Sequence, residues 1–273
     1  MSVTGHTASE VGEIAVEDQG YGLGEPDGML VLRYPTGRAV PDFPEYRDDL
    51  VHQVFHSPNG ALSIRRGAST HFASADQCIW VRRGVVAELS GFDMQTVIRV
   101  CVRRAPDELT AHGAAVLDLD ADLAALLDRV SRPGLGQQEG LAARSQILHR
   151  LAGVAERDGT TLTHATSPSG PAREVARAIL HDPADSTDLA TWASRMHVST
   201  KTLQRSFQVS FGASFSDWRT RTRLHASLAL LPHTSVTEVA HRVGYGSPSA
   251  FIAAFTKEFG TSPKRLIAQR RLG

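Results

Sequence analysis

The chain has 273 residues, 41% of them hydrophobic, which is enough for one large or two medium cored domains and excludes wholesale disorder. Its 29 Lys+Arg balance 29 Asp+Glu, but 14 basic and 7 acidic residues lie from Pro171 onward against 15 and 22 before it, so the last third carries about +7 and the front about −7. A basic module behind an acidic one suits a phosphate-binding domain joined to a domain that leaves nucleic acid alone. Two cysteines, Cys78 and Cys101, exclude a disulfide framework or a four-thiolate zinc site within one chain.

Residues 1–28 mix Gly, Ser, Thr, Glu and Asp with little periodicity and read as a loosely ordered lead-in. Met1 to Gly20 shows no basic region followed by an apolar run, and no run of about 18 apolar residues occurs, so the expected location is cytoplasmic with no membrane partner. From Leu30 to Arg104 short apolar runs alternate with turn signals: Met29 to Leu32, Val51 to Phe55, Ala61 to Ile64, Cys78 to Val81, Val85 to Leu89 and Val97 to Val102. Strands at such close spacing predict a small antiparallel barrel or sandwich. Pro58-Asn59-Gly60 is its strongest turn, because Asn and Gly tolerate positive φ, and it is expected to join the strands around Val54 and Leu62.

After Asp118 the period becomes helical, with Leu119, Leu123, Leu126, Leu127 and Val130 on one face and Leu141, Ile147, Leu148, Leu151 and Val154 on another. These stripes need a partner, either the barrel wall or the same helices of a second subunit, a homodimer through residues 119–155. Residues 29–156 therefore read as a sensor or dimerisation domain, and 157–171, rich in Gly, Ser, Thr and Pro, as a linker.

Residues 172–273 repeat one pattern twice. A scaffold helix from Arg173 to His181 precedes a first helix-turn-helix at about 188–209 and a second at about 236–259. Ser199 and Ser235 are N-cap residues, Pro248 suits a first helical turn, and Leu203 with Phe207, like Phe251, Phe255 and Phe259, recur at core spacing. A connecting helix from Ser216 to Leu231, about 24 Å long, spaces the two units. The free side of the first recognition helix carries Thr200, Lys201, Gln204, Arg205 and Gln208, with Gln204 and Arg205 the best base readers. The turn that takes Gly244 in the second unit has His197-Val198 in the first.

Leu189-Ala190, Ser199, Leu203-Gln204-Arg205, Phe207, Gly212, Arg223-Leu224, Ser235-Val236, Val239-Ala240, Val243-Gly244-Tyr245, Ser249, Phe251, Phe255, Phe259-Gly260 and Ser262-Pro263 together resemble the AraC/XylS-type transcriptional regulators over nearly all of 171–270. The resemblance implies a DNA-binding regulator of transcription, activator or repressor, with promoter DNA as partner and RNA polymerase as a further one for an activator. It places Lys201, Gln204 and Arg205 on the base-contacting face of the first recognition helix, and Ser247, Pro248, Ser249, Ile252 and Ala253 on that of the second. Where many members have a polar residue this chain has Ala253 beside Ile252, so base discrimination is expected to rest on the first unit. Phe43-Pro44-Glu45-Tyr46, His52-Gln53-Val54-Phe55 and Ile79-Trp80-Val81 resemble the cupin-like effector barrel often fused to such regulators. The expected fold is thus α+β: a cupin-like antiparallel barrel with trailing helices, then an all-α domain of two helix-turn-helix units.

A small-molecule effector in that barrel would meet Tyr46, His52, Phe55 and Trp80. The competing reading is a small-molecule-binding or metal-dependent barrel with an accessory helical tail. Its candidate ligands, Glu45, His52, His56 and His71, are poorly spaced for one ion, since residues four apart on a straight strand share a face but diverge. No phosphate loop, serine elbow or zinc-protease signature occurs, and no enzyme, metal or cofactor is expected.

Overall fold

A computed structural model describes residues 16–36, 43–92, 95–154, 160–163 and 168–270. Residues 1–15 of the expected lead-in, and 157–159 and 164–167 of the expected linker, lie outside the described residues. The described chain begins with β1 Glu17–Tyr21, β2 Met29–Tyr34, β3 Phe43–Arg47, β4 His52–His56, β5 Leu62–Arg66, β6 Ser69–Ala73, β7 Gln77–Val81, β8 Val86–Gly91 and β9 Val97–Val102. There follow α1 Asp107–Thr110, β10 Ala114–Asp118, α2 Ala121–Val130, α3 Gln137–Ala152 and β11 Thr160–Thr163.

Two antiparallel sheets form, β1-β2-β9-β4-β7-β10 and β11-β6-β5-β8-β3. The period of two divides each strand between faces. On the first sheet Val31, Val54, Trp80, Val100 and Ala115 face outward onto α2 and α3, where Leu123, Leu127, Val130, Ile147, Leu148 and Leu151 are buried against them. The helical stripes are thus spent on the barrel wall, and the face of α3 left to solvent carries Gln138, Glu139, Ser145, Gln146 and His149. The other face of this sheet meets the second through Tyr34, Phe55, Ile79, Val97 and Val116 against Leu62, Ile64, Ala87 and Leu89. Cys101 and Cys78 fall on opposite faces and are both free and buried.

The chain is α+β as the sequence implied, with differences of local cause. Residues 17–21 pair with β2, although they fell in the expected lead-in; the Tyr21 hydroxyl donates to the Val130 carbonyl at 3.0 Å, and Gln137 Nε2 donates to the Gly20 carbonyl at 2.8 Å. Residues 160–163 pair with β6, although they fell in the expected linker. Pro58-Asn59-Gly60 does not close a hairpin, because β4 pairs with β7 and β9 while β5 pairs with β6 and β8. It is a corner between the sheets, held by side chains. Gln95 Oε1 accepts Ala61 N–H at 2.7 Å and Gln95 Nε2 donates to Ala61 O at 2.8 Å, while Asn59 Oδ1 accepts Thr96 N–H at 2.9 Å. A side chain on residue 60 would sit on Gln95 Oε1, so glycine is needed here for close approach and not for φ.

The C-terminal helices are α4 Gly170–His181, α5 Leu189–Arg195, α6 Thr200–Phe211, α7 Phe215–Leu230, α8 Val236–Arg242, α9 Pro248–Phe259 and α10 Pro263–Arg270. They pack on the outer face of the second sheet, where Phe72, Phe92 and Leu162 share one apolar cluster with Leu180, Leu224, Leu228 and Leu231. Among the described residues no helix is long and apolar enough to cross a membrane.

Candidate nucleic-acid interface

Helices α5 and α6 have 7 and 12 residues, and so do α8 and α9. Each is opened by a side chain that accepts the amide three residues on: Asp188 from Thr191, Ser199 from Thr202, Ser235 from Glu238 and Ser247 from Ala250. Helices α6 and α9 both end at a glycine in the left-handed region, Gly212 at φ 67° and Gly260 at φ 68°. The turns between helices match too. Val198 N–H donates to Ala193 O and Tyr245 N–H to Ala240 O, and the residue before each takes positive φ: Gly244 at 80° and His197 at 54°. Among the described residues His197 alone does this without being glycine.

The equal lengths align the two recognition helices position by position. Leu203, Phe207 and Phe211 face the core where Phe251, Phe255 and Phe259 do in the other unit. On the opposite side Lys201, Gln204, Arg205, Gln208 and Val209 are exposed, as are Ser249, Ile252, Ala253, Thr256 and Lys257 at the matching positions. The first face is cationic and rich in donors at its N-terminal end. The second is small and apolar there and carries its cation, Lys257, at the far end.

All the named residues of the first helix, Ser199, Thr200, Lys201, Gln204, Arg205 and Gln208, are exposed, and so are Ser249, Ile252 and Ala253 of the second, with Ser247 and Pro248 half-buried. Ser199 and Ser247 spend their oxygens on caps. Thr256 and Lys257 were missed by the sequence reading, although extending the spacing of 249, 252 and 253 by one turn reaches both. The Thr256 hydroxyl is turned back on the Ile252 carbonyl at 2.7 Å, leaving Lys257 as the polar addition.

Helix α7, 16 residues and about 24 Å long, holds the units apart. Arg223 on it is clamped: Nε donates to Pro183 O at 2.7 Å, Nη1 to Gly244 O at 3.1 Å, and Nη2 to Asp185 O at 2.8 Å and Ala184 O at 3.4 Å. Burial holds this guanidinium below the usual arginine range.

This paired arrangement coincides with the match to known proteins. A family profile described as "Helix-turn-helix domain" matches residues 192–269. The HTH-type transcriptional regulator RipA of Corynebacterium glutamicum is 41% identical over 93 residues, 34% of this chain and 28% of RipA. An AraC-like transcription regulator of Streptomyces antibioticus is 37% identical over 91 residues, 32% of this chain and 30% of that protein. The C-terminal domain is of the AraC type. The chain thus spans about a third of these relatives' length, through its AraC-type domain. A crystal structure of the DNA-binding domain of AdpA, a global transcriptional factor, in complex with a target DNA is 32% identical, covering 38% of this chain and 96% of that one at a TM-score of 0.36.

The four residues named for an effector pocket do not come together. Phe55 and Tyr46 face the space between the sheets, whereas Trp80 and His52 lie on the helix-covered face, stacked with ring centroids 5.3 Å apart. Strand alternation separates them, since His52 and Phe55 are an odd number of residues apart. The histidines named as metal ligands are each engaged elsewhere. His52 Nδ1 accepts Arg83 N–H at 3.3 Å, His56 Nδ1 lies 3.0 Å from Gln77 O, and His71 Nδ1 lies 3.0 Å from Thr161 Oγ1; the Glu45 side chain is outside the described residues. Among the described residues no group of three or more His, Cys, Asp or Glu is placed to hold a metal ion.

Proposed function

We propose that this chain is a sequence-specific DNA-binding regulator of transcription, with the AraC-type domain reading two successive major grooves. The observation that carries this reading is the pair of equal 12-residue helices, each presenting a solvent face opposite a buried aromatic or aliphatic stripe. Gln204 and Arg205 read bases, Lys201 and Gln208 hold phosphate or base edges, and Ser249, Ile252 and Ala253 meet thymine methyls and the groove wall. Ser199, Thr200, Ser247 and Pro248 bring the helix N-termini to the backbone. The two-sheet domain is the sensor, and RNA polymerase is the further partner where the protein activates. A homodimer through residues 119–155 would have to use the polar outer face of α3. The reading assigns no catalysis.

The test selects genomic fragments with the full chain and then titrates the enriched duplex at fixed salt. Arg205→Ala is expected to weaken binding by about 1 to 3 kcal/mol and to relax base preference at one position. Unchanged affinity and preference would remove Arg205 from the interface, and failure to enrich any fragment would reject the reading.

A further inference from the structure

One apolar side chain on the second recognition helix has no role in the fold. Helix α9 turns Phe251 and Phe255, both fully buried, and Phe259 to the core. Ile252 lies on the other side, 39% exposed, and among the described residues it joins none of the apolar clusters. A β-branched residue on a helix surface also lowers helix propensity relative to alanine. Neither packing nor helix formation calls for it.

Its surroundings differ from those of Gln204, its counterpart in the first unit. Gln204 stands among Lys201, Arg205 and Gln208, all exposed, long and polar. Ile252 stands among Ser249, Ala253 and Thr256, all exposed and short, so the isoleucine is the longest side chain of this stretch. The Thr256 proton is spent on the Ile252 carbonyl at 2.7 Å, and neither Ile252 nor Ala253 has a polar side-chain atom. Glu258, the helix's carboxylate, pairs with Arg221 on α7 at 3.6 Å. Lys257 is exposed one turn beyond Ala253, where a cation can meet phosphate.

In the major groove thymine differs from cytosine in two ways: O4 replaces the N4 amino group, and C5 carries a methyl group. A side chain without donors or acceptors does not register the first difference, nor the matching exchange of adenine N6 for guanine O6. It registers the second, because a methyl group pressed against isoleucine is removed from water. In 5-methylcytosine the same methyl group stands at the same place.

We propose that α9 reads the C5 methyl group of a pyrimidine through Ile252, so that its half-site takes thymine or 5-methylcytosine and rejects unmethylated cytosine. Cytosine methylation within that half-site then strengthens binding. This deepens the DNA-binding half of the proposed function and rests on it.

Gel-shift titration of the full chain at fixed salt tests it, on synthetic copies of the enriched duplex in which each thymine in turn is replaced by deoxyuridine. Loss of one methyl group is expected to weaken binding about fourfold at one or two positions in the half-site of α9, the equivalent of about 0.8 kcal/mol. At those positions a cytosine·guanine pair should bind about as weakly as the uracil duplex, and a 5-methylcytosine·guanine pair within about twofold of thymine. Ile252→Ala should shrink these differences below about twofold, and Ile252→Gln should replace them by a preference for adenine, through the pairing open to Gln204 in the first unit. Absence of any uracil-sensitive position that depends on Ile252, or 5-methylcytosine bound no tighter than cytosine there, overturns the proposal. Should Ile252→Ala lose cooperative unfolding, the cytosine and 5-methylcytosine duplexes compared on the unaltered chain decide. Failure to enrich any fragment overturns this proposal together with the DNA-binding reading, whereas enrichment with a flat uracil scan overturns this one alone.

Discussion

Removing Arg223 tests whether one side chain fixes the spacing of the two helix-turn-helix units. Its guanidinium ties α7 to the carbonyls of Pro183, Ala184 and Asp185, just ahead of the first unit, and to Gly244, inside the turn of the second. Three of the four bonds are 3.1 Å or shorter, and charge-assisted bonds are worth about 1.5 to 3 kcal/mol each. Their simple sum overstates the loss, because carbonyls released by truncation regain water and the bonds share one group. For Arg223→Met the expected destabilisation is about 3 to 4 kcal/mol, a large share of a total of about 5 to 15 kcal/mol. Arg223→Lys, whose ammonium cannot fork to both turns, is expected to lose about 2 kcal/mol.

Urea unfolding of the full chain, followed by helical circular dichroism, reads this loss. Gel-shift titration then separates stability from spacing: the Arg223 variants should lose more affinity for a duplex carrying both half-sites than for one trimmed to the half read by α6. A destabilisation of Arg223→Met below about 1 kcal/mol would refute the clamp. Equal losses on full and trimmed duplexes would refute its role in spacing.

Ala253 stands where Arg205 does in the first unit, so Ala253→Arg should add a phosphate or base contact and steepen the salt dependence of binding by about one unit; an unchanged slope would mean that this face does not meet DNA. His197→Gly should raise stability by about 0.5 to 1 kcal/mol, seen as a higher thermal midpoint, because a side chain at φ 54° costs about 1 to 2 kcal/mol and glycine returns part of that as entropy; a lower midpoint would show that the imidazole makes a compensating contact. His52 and His56 are held below the usual histidine range, chiefly by burial. The unfolded chain takes up these protons near pH about 6.5 while the folded chain resists, so stability is full above that value and falls as the pH drops through it. Urea midpoints measured from pH about 8 down to about 5 should decline, and less so in His56→Gln; a flat or rising midpoint would refute the sign.

The C-terminal domain was legible because its signals are local. Caps, left-handed glycines and core residues at helical spacing each act within a turn, and two copies of the pattern corroborate each other. The two-sheet domain was legible only in part. Strands β2, β4, β5, β7, β8 and β9 announce themselves as apolar runs, and so does β10 in Ala114 to Leu117, although it was not singled out; β1, β3, β6 and β11 do not. In β1 a single tyrosine ends an otherwise polar pentapeptide, and in β6 three polar residues, Ser69 to His71, precede Phe72 and Ala73. Which face a residue takes depends on pairing register, which is why Tyr46 and Phe55 were grouped with His52 and Trp80. The carbonyl partners of Arg223 lie about 40 residues before it and 21 after it, a separation that no local pattern reveals.

Strand β8 shows how the two domains constrain each other. Its centre, Glu88, is 3% exposed, which a sheet facing solvent would not need to tolerate. It is met from across the sheet by Arg65, also buried, and from the AraC-type domain by Arg173 on α4 at 3.2 Å. Replacing such a buried network with apolar residues often costs nothing in stability, so its presence argues for specificity of docking more than for strength. An apolar cluster such as Phe72, Phe92, Leu224 and Leu228 can slide by a residue and still be buried, whereas a carboxylate shared between two arginines admits one arrangement. The apolar contact supplies the attraction and the charged one the register. On the opposite face of β8, Ala87 and Leu89 pair with Tyr46 and Phe43. One strand therefore stands between the rings of Phe43 and Tyr46 and the helix that opens the AraC-type domain.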